Sequence, residues 1–197
     1  MNQVQTTQGQ LLSGPTANRY PFRLAQYFDY QLNGTILVNR NKTQIDPSDT
    51  YLVSLYPAMG INYLYVGGDI SATGVTSFPG DCVTNIGQAA GPLLVFASAG
   101  GDGPPETRVD GYCMLTPPST TGPMWSTSPW SPTSVPSDYG HVDARYHGKA
   151  VCAFLDGSVK TLTITELQDM RLWSNTAAAE GSSGYSIPLA TIPKRQR

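Results

Sequence analysis

The densest grouping of chemically versatile side chains lies in His141-Val-Asp143-Ala-Arg-Tyr-His147, with one more carboxylate following at Asp156. Two imidazoles and two carboxylates are ligands that zinc or a similar ion accepts, and a catalytic zinc site uses three such groups and keeps one position open. His141, Asp143, His147 and Asp156 are therefore the candidate metal ligands, and a metal-dependent hydrolase is one reading of the chain. The plainer reading has Asp156 making a turn while Asp143 and His147 bond loop backbone, because the spacing matches no established ligand pattern.

Nucleophilic catalysis finds less support. The chain has only two histidines, and the nearest serine string, Gly181-Ser-Ser-Gly-Tyr-Ser, lacks the G-x-S-x-G spacing and the apolar strand that should precede it. Gly67-Gly68-Asp69 and Gly100-Gly101-Asp102-Gly103 have neither the Lys-Ser/Thr ending of a P-loop nor the alternating oxygens of an EF-hand, so both read as turns. Cys152, within AVCAF, reads as a buried apolar thiol, and three cysteines cannot all pair within one chain. The expectation is a non-catalytic protein without a cofactor, a bound metal ion being the exception to test.

A second candidate site is aromatic. The stretch from Pro117 to Gly140 is dense in Pro, Ser and Thr yet carries Trp125, Trp130 and Tyr139. Such rings pack on a sheet from an ordered loop, or else form an exposed platform that stacks on sugars or on another protein.

The elements that must hold these groups are short. Charged residues are 13% of the chain against 20 Gly and 16 Pro, which favours turns, loops and β structure over long helices. Tyr20–Tyr30 suits a short helix begun by Pro21. Gly34–Val38, Thr50–Tyr56, Ile61–Val66 and Pro92–Ala97 carry the β-branched and aromatic runs of strands. Lys149–Leu155 and Ser158–Leu162 flank Asp156-Gly157 and form a hairpin whose first strand is apolar on both faces, hence interior to the sheet. Thr165 is placed to cap a short helix that turns Leu167, Met170 and Leu172 inward. The whole reads as one α+β, β-rich domain over residues 1–197: an antiparallel sheet, short helices and long Pro/Gly/Ser-rich loops, with 117–140 the longest loop and 176–197 a flexible tail.

A net charge of −2 provides no field for phosphate backbones or anionic lipid, so nucleic acid is not an expected partner. No basic leader with an apolar run opens the chain, and no stretch is long enough to cross a bilayer, so the chain as given reads as soluble and without a targeting signal.

The passage from Val142 to Asn175 resembles the C-terminal part of the bacterial prepilin-type proteins named for a histidine, a spacer and an Asp-Gly pair (H-X9-DG), through His147, Gly148, Asp156, Gly157 and the Leu-x-Asp-Met-Arg run at Leu167–Arg171. Weaker likeness extends to the segment from Ala17 to Asn39 and to Asp110–Pro118. The resemblance implies a pilin-like head related to type IV pilins and type II secretion pseudopilins, without the N-terminal helix that anchors such subunits in a membrane. It implies a structural or assembly role with other pilin-like subunits or secretion and filament proteins, a place in the cell envelope or outside the cell, and there a plausible Cys82–Cys113 disulfide. A glycan- or protein-binding module using the aromatic loop is the alternative.

Overall fold

The computed structural model describes residues 4–5, 11–12, 19–28, 37–39, 45–66, 82–83, 85–102, 108–120 and 122–184. Strands β1 (Val4–Gln5) and β2 (Leu11–Leu12) make a two-residue antiparallel ribbon. The helix α1 (Tyr20–Leu24) starts with Pro21 in its first turn, as its fixed φ favours, and continues as a 3₁₀ turn over Ala25–Phe28. It lies against the sheet: the Tyr20 ring meets Phe96 at 5.1 Å, and its hydroxyl donates to the Met59 carbonyl.

Helix α2 (Thr50–Leu55) occupies the segment expected as a strand at Thr50–Tyr56. The Asp49 carboxylate caps it by accepting the Leu52 N–H at 3.1 Å, and its buried positions Thr50, Val53 and Ser54 fall at helical spacing. Strand β3 (Met59–Asn62) follows and ends sooner than the apolar run to Val66 suggested. Asn62 is the reason: its buried amide donates to the Leu94 and Trp173 carbonyls, both at 3.0 Å, and accepts the Tyr65 N–H, which turns the chain. Of the expected strand at Gly34–Val38, residues 34–36 lie outside the described set, and Leu37 and Val38 are not extended. Gly67-Gly68-Asp69 and Gly103 also lie outside it.

The main sheet has the order β5-β3-β4-β6-β7, with β4 Leu94–Ser98, β5 Met114–Leu115, β6 Lys149–Phe154 and β7 Val159–Thr163. It is mixed rather than purely antiparallel, because β5 pairs with β3 in parallel (Ile61 with Met114, Asn62 with Leu115). The architecture is α+β, with short helices around one sheet. The expected hairpin is present, and β6 is interior, between β4 and β7. Its turn departs from the tightest form: Gly157 N–H donates to the Phe154 carbonyl, Phe154 N–H to Ser158, and only Gly157 takes a positive φ (82°). This is a three-residue loop closed by a left-handed glycine.

After β7, the capping residue is Thr163, two positions before the Thr165 expected. Its hydroxyl accepts the Glu166 N–H while Glu166 Oε2 accepts the Thr163 N–H at 2.8 Å, a capping box that opens α3 (Ile164–Leu167). Leu167 and Met170 are buried and Leu172 half-buried. Where the flexible tail is expected to start, Asn175–Glu180 form α4, capped by Ser174 and Gly181, with Ala177 buried; the rest of that stretch from 185 to 197 lies outside the described set.

The core gathers on one face of the sheet around Trp173, Tyr65, Leu93, Leu94, Leu115 and Leu167. Each such side chain removed from water contributes about 1.5–3 kcal/mol.

Candidate functional site

The two histidines and two carboxylates of the metal reading are not gathered into one site. Asp143 is buried and serves an ion network instead: Arg108 Nη2 donates to both of its oxygens at 3.2 Å, and Arg145 Nη1 to Oδ2 at 3.3 Å. Arg145 also stands 3.7 Å from Asp110 and donates to the Ala58 carbonyl at 2.9 Å, while Arg108 reaches the Ser134 carbonyl in the long loop. Two arginines and two aspartates cancel in charge, which a water-poor site requires. Sequence reasoning missed this network, although Arg108-Val-Asp110 and Asp143-Ala-Arg145 are mirror-image charge pairs at a spacing that turns both members to one side of an extended chain.

His141 is half-buried, stacked on Tyr112 with centroids 3.9 Å apart, and its Nδ1 lies 3.0 Å from the Gly100 carbonyl. Burial pushes its pKa below the ordinary value, against the opposing pull of that carbonyl and of Asp102. His147 is exposed, and Asp156 is exposed at the hairpin tip, where its Oδ1 accepts the Ser158 N–H at 2.9 Å. Among the described residues, no three His, Cys, Asp or Glu side chains stand together as a metal site would need. The glycines at 100 and 101 pack against Pro136 and Tyr56, and Asp102 accepts the Ser137 N–H, so this part of the glycine-rich stretch is a crossing loop.

The aromatic platform is corrected in part. Trp125 and Tyr139 are buried at 7% and 2% exposure, which removes both faces from any sugar. Trp125 meets Trp173 edge-on and donates from Nε1 to the Thr116 carbonyl at 2.8 Å; Tyr139 donates its hydroxyl to Ser128. Trp130 is half-buried against the core. Gly140 is what allows this packing, because at φ 63° a Cβ would fall 2.0 Å from the Thr116 carbonyl oxygen and 2.4 Å from Trp125 Nε1. Trp125 thus ties the described part of this loop to the core.

Cys113 is a buried thiol outside any disulfide, so the Cys82–Cys113 bridge is not formed in this structure. Burial pushes the Cys113 thiol up to about 11 and the Cys152 thiol up to about 12, leaving both protonated and poorly nucleophilic at neutral pH.

The motif residues His147, Gly148, Asp156 and Gly157 sit at two chain reversals, of which the sequence disclosed only the one at Asp156-Gly157. His147 and Gly148 both take positive φ (55° and 78°), and Tyr146 and Lys149 exchange two backbone hydrogen bonds across them. That is a type I′ reversal. The eight residues between His147 and Asp156 thus carry β6 from one chain reversal to the next, so the motif sets the length of an interior strand. It also places β7 at the end of the strand order, an edge with no further strand among the described residues. Beside that edge lies a shallow groove of about 450 Å³, lined by apolar Pro92, Phe154, Leu162 and Leu172 together with Lys160 and Glu166.

Neither a family model, nor a curated protein, nor a solved structure matches this chain. Among the described residues no helix is long and apolar enough to cross a membrane.

Proposed function

We propose that this chain is a non-catalytic, pilin-like structural or assembly subunit that works in the envelope or outside a bacterial cell, in a surface filament or a type II secretion-like apparatus. One observation carries the reading: the two reversals at His147-Gly148 and Asp156-Gly157 use the motif of the prepilin-type resemblance to build an interior strand and present β7 as an open edge. A strand edge that is unpaired among the described residues and lies beside an apolar groove is what an assembling subunit offers its neighbours. The polar groups that first suggested chemistry serve the fold here, Asp143 in the ion network and His141 on Tyr112. Other pilin-like subunits are the partners this reading names.

The test is fractionation of source cells with an antibody to the chain. The reading expects the protein in sheared surface material that sediments at high speed, or in the membrane fraction. Recovery of all of it in the cytosol contradicts the reading.

A further inference from the structure

The β7 edge is specific enough to name its occupant. Phe154 N–H donates to Ser158, Cys152 faces Lys160 and Ala150 faces Leu162, so antiparallel alternation puts the hydrogen-bonded pairs at Ser158, Lys160 and Leu162. The amides and carbonyls of Val159 and Thr161 therefore point away from β6, to the open side of the sheet. Val159 is 65% exposed there, an unusual amount of branched apolar surface for a strand whose outward backbone groups meet no partner among the described residues. On the groove face, the Lys160 ammonium lies 5.5 Å over the Phe154 ring. Glu166, lining the same groove, uses Oε2 for both of its bonds to Thr163.

We infer that the occupant is a second copy of this chain, with β7 pairing antiparallel to its own counterpart about a two-fold axis at Thr161. In that register the two Thr161 residues exchange backbone hydrogen bonds and make a favourable cross-strand pair. Val159 stands across from Thr163 of the second copy, and Lys160 across from Leu162. Lys160 thereby enters the second copy's groove, where Glu166 supplies the opposite charge, and the symmetry repeats the contact in the other direction. The competing register, centred on Lys160, sets two ammonium groups face to face at the closer, non-hydrogen-bonded spacing and is disfavoured. Two strands of this length bury less than about 1,200 Å², so the association is weak and concentration-dependent. The inference rests on the assembly reading for its place in the cell, and names that reading's partner at this edge.

The test is the mass of the purified full chain by light scattering over about a hundredfold range of concentration, with amide exchange at Val159 and Thr161. The expected result is a mass rising from 21.1 kDa towards its double, with both amides slowing together. Thr161→Pro removes an outward N–H that β6 does not use, and should weaken the dimer by about tenfold or more. Lys160→Glu should weaken it without touching the backbone, which covers the case in which the proline variant folds poorly. A monomer at every concentration overturns the inference, as does a dimer indifferent to both substitutions. A monomer from cells whose surface filaments still contain the chain overturns this contact alone and leaves the assembly reading standing.

Discussion

The indole of Trp125 meets that of Trp173 edge-on, with centroids 5.7 Å apart and planes at 88°. This pair joins the proline-rich loop to the segment that follows the hairpin, and each indole N–H is satisfied by a carbonyl, Thr116 for Trp125 and Leu167 for Trp173. Trp173→Ala should cost about 3–5 kcal/mol in denaturant unfolding, and Trp125→Ala a comparable amount, with the double variant losing less than the sum because the rings share a contact. A Trp125→Ala variant of unchanged stability contradicts this packing.

Asp143 holds two guanidinium groups out of water. Asp143→Ala should destabilise the protein by about 3–5 kcal/mol, because it strands buried positive charge. Replacing Arg108 by Met and Asp143 by Leu together should recover much of the loss, read by urea midpoint at constant slope. Zinc should not restore the single variant, since the residue balances arginines and joins no group of three potential ligands among the described residues.

Gly140 and Gly157 both take positive φ, but only Gly140 is hemmed in. Gly157→Ala should cost about 1 kcal/mol for the strained backbone. Gly140→Ala adds a collision with the Thr116 carbonyl and should cost about 2–5 kcal/mol. Equal losses in thermal unfolding would show that the loop does not approach as closely as described.

The raised thiols make a pH prediction. Folded Cys113 and Cys152 hold their protons up to about 11 and about 12, while the unfolded chain loses them near the ordinary thiol value. The unfolded state then binds fewer protons, so stability present below that value falls as pH climbs towards 11 and 12. Replacing Cys113 and Cys152 by alanine should flatten the alkaline slope. In the native protein at pH about 8, a thiol reagent should leave both unlabelled until denaturant is added.

How much of this was legible follows from where the information lies. The Asp-Gly hairpin and the proline-started helix rest on local turn and cap chemistry, so they could be read directly. Thr50–Tyr56 reads as a strand because Thr, Tyr, Leu and Val suit either state; Asp49, a capping residue just ahead of it, is the usable signal for the helix. The cap at Thr163 was likewise written as Thr-x-x-Glu. The parallel β3–β5 pair joins residues far apart in the chain, and nothing local specifies it. The candidate metal ligands are not gathered, for the same reason: short spacing suggests proximity, but His147 sits in a chain reversal and Asp143 is taken by Arg108, so no three of the groups stand together among the described residues.

The most direct measurement of the central claim is immunogold electron microscopy of intact source cells with an antibody to this chain. The account predicts label along surface filaments or at discrete envelope assemblies. Label confined to the cell interior would contradict it.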